Sequence, residues 1–296
     1  MYLSSKKRYR NRRNTPVSSK IKKQRQRTAS ERMAITDNGY YILKWIACIT
    51  LLIDNIALFF QAQCNIDPNT YVTMRYIGRM AFPIFAYLLV ERFHNLKKKG
   101  RYLLGLGVLA LISEIPYDFI NISQMPVEGK ILNLNYQNMY LSLFISFLLL
   151  MMINANYDRI KAIYNNSKFA KLTEINLKII FFGLAAGAAF ISQAEYSFSG
   201  VLFVFLLNFA RGKKHKQIFQ ALAFLIFALI RAHIAYLILL VPFVLIVILE
   251  YSARTGTEKD NAIFRFIRSK FSRRLTSVFY PLHMVILIAI RMAMVW

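Results

Sequence analysis

Four short stretches carry residues able to do chemistry inside an otherwise apolar chain. Arg75 and Arg79 lie one helical turn apart in RYIGRMAFPIFAYLLVER, residues 75–92, and Glu114 and Asp118 have the same spacing in SEIPYD. Asp54 interrupts ITLLIDNIALFF, and His283 sits in FYPLHMVIL, residues 279–287. A charge at the centre of a bilayer costs at least about 2.5–3.5 kcal/mol on the insertion scale, so such groups pair with one another or line a water-filled pocket. Two readings follow for the arginines. Either Arg79 pairs with Asp54 or Glu114 and fastens helices together, or Arg75, Arg79, Asp54, Glu114 and Asp118 line a polar cavity opening on one side. His283 likewise reads two ways, as a hydrogen-bonded packing residue or as a proton acceptor, since an ordinary imidazole titrates near pH 6.5.

Elements that must position these groups are membrane helices. Hydrophobic residues make up 56% of 296 residues, and long apolar runs recur along the chain. Alternating strand patterns of about ten residues, which a membrane barrel needs, are absent from the text. The expected architecture is all-α and polytopic, with nine spans near 41–61, 73–92, 102–120, 137–154, 178–193, 197–210, 217–231, 233–250 and 278–295. Three in the middle fall short of the usual span of about 20 residues, which implies packing within the bundle or half-helices. Charge sorts the loops. Arg92 to Arg101, Lys161 to Lys178, RGKKHK and residues 251–277 are basic, whereas the alternate loops hold only Lys130 and Arg231. By the positive-inside rule the amino terminus is then cytosolic and the carboxyl terminus, at Trp296, lies outside. On this orientation the acid–arginine cluster occupies the outer half of the membrane, joined by Gln137 and Asn138 at the start of the fourth span. His283 falls near the cytosolic face, about 10–15 Å away at 1.5 Å per residue. Pro83 and Pro116 loosen the backbone beside the cluster.

Residues 1–36 hold twelve Lys or Arg and one acid, Glu31. Such a segment is too polar and self-repelling to bury, and reads as a disordered cytosolic arm suited to anionic lipid headgroups. No folded module or aromatic platform in it points to nucleic acid. The apolar run at 41–61 exceeds a secretory signal core of 7–15 residues and no small-residue cleavage site precedes Cys64, so it reads as a retained anchor. Residues 37–296 are expected to form a single membrane domain. Cys48 and Cys64 have neither the spacing nor the companions of a metal site or redox motif.

Taken in order, KWIACITLLIDNIALFF, RYIGRMAFPIFAYLLVE, ALISEIPYD, YQNMYLSLF, AEYSFSGVL and FYPLHMVIL resemble the TraX family over about residues 39–295. TraX-type proteins are similar to integral-membrane acyltransferases, and founding members are linked to amino-terminal acetylation of conjugative pilin. The resemblance implies a bacterial cytoplasmic-membrane enzyme that moves an acetyl group from acetyl-CoA, held on the cytosolic side, to an amine or hydroxyl acceptor. By position it implies roles for Asp54, Arg79, Glu114, Gln137, Asn138, Glu195 and His283, with Arg75 and Asp118 beside them. Basic pairs at Lys213–Lys214 and Arg273–Arg274 would attract the donor's phosphates, although the positive-inside rule accounts for them equally. The chain departs from the family pattern twice. Asn55 follows the first-span Asp where members typically carry His, and Ser197 follows Glu195–Tyr196 where Gly is usual. An amide cannot act as a base near neutral pH, so any base function falls to His283. A secondary transporter using the intramembrane ions, or a non-catalytic assembly factor, are the competing expectations.

Overall fold

The computed structural model describes residues 35–61, 64–121, 137–164, 168–211, 213–230, 234–255 and 262–295. The basic arm to residue 34, Lys130, Arg231, His233 and Trp296 lie outside the described residues. Helices follow in the order α1 (Asp37–Phe60), α2 (Pro68–Arg79), α3 (Ala81–Asn95), α4 (Lys99–Asn121), α5 (Met139–Tyr164), α6 (Lys168–Ile191), α7 (Ser197–Ala210) and α8 (Lys216–Ile230). A 3-10 segment, Ile234–Leu239, leads into α9 (Leu240–Thr255), and α10 (Ala262–Ile267) precedes α11 (Lys270–Val295). Among the described residues the only extended pairing is an isolated parallel bridge between Gln137 and Ala194.

Five helices, α1, α4, α5, α6 and α11, are long and apolar enough to cross a membrane; Ser197–Ala210, Lys216–Ile230 and Leu237–Ala253 are shorter apolar helices. The protein is therefore an all-helical membrane protein. Outward faces carry the apolar load expected for lipid rather than water: Leu172, Ile175, Ile179, Leu184 and Ile191 on α6, and Leu104, Val108, Leu111 and Ile115 on α4, are all exposed.

Three expected spans take a different form. The run at 73–92 is not one helix but two, α2 and α3, broken at Met80. Pro83 supplies the cause, because it has no N–H for the Arg79 carbonyl and its ring crowds that carbonyl. The 178–193 run belongs to a helix of 24 residues that starts at Lys168, and so is not short. The last helix begins at Lys270 instead of 278, with Arg273 and Arg274 inside its first turns.

Short α3 is the hub. It packs against α1, α5 and α7, and it is buried nearly all round, from Phe82 and Ile84 through Leu88, Leu89 and Phe93. An apolar surface on every side is what a helix at the centre of a bundle requires. Phe147 of α5, Phe203 of α7 and Phe224 and Phe227 of α8 are fully buried in the same core. Helices α1 and α11 run parallel, since Trp45 Nε1 donates to Ser272 Oγ at 2.9 Å near one end and Asn55 meets His283 near the other.

Helix α2 starts cleanly at an Asp-Pro pair, where Asp67 Oδ2 accepts from the N–H groups of Asn69 and Thr70 at 3.0 and 3.2 Å. It lies against α1 at Gly78, where an added Cβ would fall 2.1 Å from Asp54 Cβ. No side chain fits there. We expect Gly78→Ala to force the two helices apart and to destabilise the detergent-purified protein by about 3 kcal/mol or more, read as a lowered unfolding midpoint. An unchanged midpoint would mean that the helices are not held at this separation.

Candidate functional site

The close approach of α1 and α2 creates the first ion pair: Arg75 Nη1 lies 2.9 Å from Asp54 Oδ2. Asp54 is buried, and its second oxygen, Oδ1, has no hydrogen-bond partner among the described residues. Arg79, at the end of α2, turns instead to Glu195, with Nη1 to Oε1 at 2.8 Å. The expected pairing of Arg79 with Asp54 or Glu114 is thus corrected. Arg75 takes Asp54, and Arg79 takes an acid more than a hundred residues away while staying within electrostatic reach of Asp54.

Glu195 is held by backbone rather than by its own helix. Gln137 N–H donates to the Gln193 carbonyl at 3.1 Å, and Glu195 N–H donates to the Gln137 carbonyl at 2.9 Å, pinning the α6–α7 turn to the start of α5. Gln193 and Ser197 adopt positive φ, 50° and 43°, in this turn. Ser197 occupies the position where glycine is usual in the resemblance, and its left-handed backbone supplies the physical reason for glycine there. Tyr196 stacks on Phe82, with ring centroids 3.7 Å apart, over Gly200, whose missing side chain makes room for the Phe82 ring and the Tyr196 Cβ.

Asn138 caps α5: its Oδ1 accepts from Tyr140 N–H at 2.9 Å, while its Nδ2 donates to the Ala110 carbonyl at 2.8 Å and to Glu114 Oε2. The other Glu114 oxygen is a second buried acceptor with no partner among the described residues. Asp118, one turn further along α4, is buried and within electrostatic reach of Glu114.

His283 is not remote from this cluster. Its Nδ1 lies 2.7 Å from the Phe279 carbonyl oxygen, which can only accept, so Nδ1 carries the proton and donates. Nε2 is then an unprotonated lone pair, and Asn55 Nδ2 donates to it at 2.6 Å. Asn55 is the chain neighbour of Asp54, and Tyr280, 5.8 Å from the His283 ring, is within electrostatic reach of Glu195, so a chain of contacts links the imidazole to the charged cluster. The separation expected from the sequence arose from starting the last span at 278. Beginning it at Lys270 shifts His283 by about 12 Å along the helix axis.

Asp54, Arg75, Arg79, Glu114, Asp118, Gln137, Asn138, Glu195 and His283 therefore belong to one connected region. The expected donor-side residues lie on two elements, the α7–α8 connection and α11. Lys213 lies over the Phe209 ring at 4.2 Å in the α7–α8 connection beside Lys214, and Arg274 is exposed on α11. Arg273 borders a cavity of about 590 Å³ that Lys213, Lys214 and Arg274 do not line.

A second polar centre was missed. Glu91 and Glu250 are fully buried where α3, α8 and α9 meet. Glu250 Oε1 accepts from Tyr87 Oη at 2.7 Å, Lys216 Nζ at 2.8 Å and Gln220 Nε2 at 3.2 Å, while Arg211 and Lys216 approach Glu91 at 3.5 and 3.6 Å. The available signal was an acid set in each of two apolar runs, LLVERF and VILEYS.

The Arg79–Glu195 pair is half-open, with each side chain 20% exposed. In a double-mutant cycle with Arg79→Met and Glu195→Met we expect a coupling energy of about 0.5–3 kcal/mol in unfolding experiments. Strict additivity of the two single losses would show that the pair does not tie α2 to the α6–α7 turn.

No curated protein and no solved structure matches the chain. The family model described as TraX protein matches residues 40–291. That match takes in the paired arginines, the Asn55–His283 contact and the Glu195 turn, and the chain belongs to the TraX family.

Proposed function

We propose that this chain is an integral-membrane acyltransferase, moving an acetyl group from acetyl-CoA to an amine or hydroxyl of a membrane-associated or surface acceptor. One observation carries the reading: a buried imidazole in a membrane domain has its Nδ1–H committed to a main-chain carbonyl, leaving Nε2 basic and held by Asn55, the chain neighbour of the ion-paired Asp54. Fixing one ring nitrogen to define the other as the base is how a histidine is prepared for proton transfer. The acceptor displaces Asn55 from Nε2, exchanging one hydrogen bond for another. His283 Nε2 takes the acceptor's N–H or O–H proton as the nucleophile attacks the acetyl carbonyl. The tetrahedral adduct then collapses, the carbon–sulfur bond breaks, and the imidazolium proton passes to the departing thiolate. Products are the acetylated acceptor and the free thiol of coenzyme A. Asp54 Oδ1 and Glu114 Oε1, each buried and unpartnered among the described residues, offer acceptor oxygens to the N–H or O–H groups of an incoming nucleophile.

The nine-crossing arrangement in a bacterial cytoplasmic membrane, with a cytosolic amino terminus, belongs to the same proposal. Parallel α1 and α11 support it, as does the gathering of Arg92, Lys98, Arg101 and Arg273 around one cavity at the basic end. An assembly factor without chemistry is the second reading, favoured by the amide at Asn55 and by ion pairs that join separate elements.

Purified protein in liposomes, with radiolabelled acetyl-CoA and an envelope extract as acceptor, separates the two. We expect label to move to an extract component, and His283→Ala to slow the transfer by about 100-fold or more, with Asn55→His retaining it. Absence of transfer by the wild type, or transfer unaltered in His283→Ala, would overturn the reading or its base respectively.

A further inference from the structure

At the basic end of the bundle, α1, α3, α4, α5 and α11 enclose a cavity of about 590 Å³. Five cations line it, Lys44, Arg92, Lys98, Arg101 and Arg273, and no carboxylate does. Three of them, Arg92, Lys98 and Arg101, come from the stretch that joins α3 to α4, and Lys44 and Arg273 reach the cavity from α1 and α11, so that stretch alone does not account for the convergence. Lys44 Nζ reaches Ser277 Oγ at 3.0 Å and Arg273 sits 5.9 Å from the Tyr41 ring, yet none of the five is ion-paired among the described residues. The remaining wall is apolar, built from Phe85, Leu88, Leu89, Leu106, Leu109 and Leu143.

We propose that this cavity binds a phosphate-bearing amphiphile, with its multiply charged head among Lys44, Arg92, Lys98, Arg101 and Arg273 and its apolar arm against the leucine wall. Arginine and lysine clusters are suited to phosphate through charge-assisted hydrogen bonds. Five cations crowded together without acids repel one another, and a polyanion removes that repulsion. The apolar wall excludes a simple inorganic anion as the best fit, because half of the lining would gain nothing from it.

Two buried tyrosine rings stand between the cavity and His283. Tyr140 closes its inner wall, Tyr280 lies against Tyr140 with ring centroids 5.0 Å apart, and Tyr280 is 5.8 Å from the His283 ring. Tyr280 is in turn within electrostatic reach of Glu195 and Tyr196. A thioester arm entering past the cations would thus meet a pair of tyrosines before the imidazole. Naming the occupant as the acyl donor rests on the acyltransferase reading; binding of the amphiphile does not.

The test uses the full chain in phosphatidylcholine nanodiscs, titrated with radiolabelled acetyl-CoA, alongside mass analysis of co-purified phosphatidylglycerol. We expect Arg92→Ala/Arg101→Ala to weaken binding of whichever ligand is held by at least about 10-fold for each lost contact. Gly105→Phe, which places a ring into the cavity from a position with open space around it, should do the same while keeping every charge. Lys171→Ala/Arg265→Ala, which removes two exposed cations that do not line the cavity, should leave binding unchanged. Acetyl-CoA retained by the wild type and lost from both cavity variants identifies a donor site; phosphatidylglycerol behaving in that way identifies a lipid site. If both cavity variants hold both ligands as the wild type does, or the wild type holds neither, the proposal is overturned. Binding without transfer would sink the acyltransferase reading alone, and transfer unaffected by the cavity variants would sink this inference alone.

Discussion

With no side chain at residue 78, α2 lies so close to α1 that the two backbones are separated by the Asp54 side chain alone. This constraint sets the rest of the charged region. It brings Arg75 onto Asp54, and it places Arg79 at the last residue of α2, where the chain must bend before Pro83. The bend releases α3 to run through the centre of the bundle, and it leaves Arg79 at the open helix end, able to reach Glu195. A straight helix over 73–92 would carry both arginines on one continuous face. The break at Met80 instead divides their partners between α1 and the α6–α7 turn. Two like charges one turn apart repel, and giving each its own acid is how the arrangement tolerates them.

The same bend explains why a turn far along the chain must be so closely specified. Glu195 can meet Arg79 only if the α6–α7 connection is held against the start of α5, and the Gln137 bridge does this with main-chain groups. Main-chain pairing makes the contact indifferent to the Gln137 side chain. Ser197 in the left-handed region keeps the turn tight at a conformational cost that glycine would not carry, of about 1–2 kcal/mol. The Phe82–Tyr196 stack then locks the turn to the first residues of α3. Arg79 and Phe82, three residues apart across the break, therefore clamp the same turn, one by charge and one by ring contact.

Legibility followed cost. Asp54, Arg75, Arg79, Glu114 and Asp118 stand out in the text because an ion in an apolar run is expensive and needs a reason. Helix identity was equally plain, since apolar runs of this length admit little else. Glu195 came only through the family resemblance, because its partner is fixed by long-range packing. The depth of His283 was misjudged because Lys270 to Ser277 is polar and reads as loop, although it continues the last helix along the bundle beside Trp45 and Lys44. Arg92, Lys98 and Arg101 were visible but read as topology signals; nothing local reveals that they converge with Lys44 and Arg273. Glu91 and Glu250 were hidden for a related reason: each lies at the edge of an apolar run, where an acid draws no notice until its partners are known.

Four charged groupings result, and their balance differs: Glu114 and Asp118 form an acidic pair on α4 beside Asn138. Asp54 and Glu195 face Arg75 and Arg79, two acids against two cations. Glu91 and Glu250 face Arg211 and Lys216, again two against two. In an interior of low dielectric each of these two sets is balanced in charge, and removing any one member leaves an uncompensated charge. The cavity at the basic end has no such balance. Its five cations meet hydroxyls, rings and one another, but no acid among its lining residues. Solvent at the exposed rim screens part of that repulsion, which is how Lys98, Arg101 and Arg273 coexist there. Lys44, set seven residues into α1, and Arg92, half-buried at the end of α3, benefit less. A uniformly positive lining over an apolar wall is what the proposed phosphate-bearing ligand would neutralise, where the two ion-paired sets need nothing from outside.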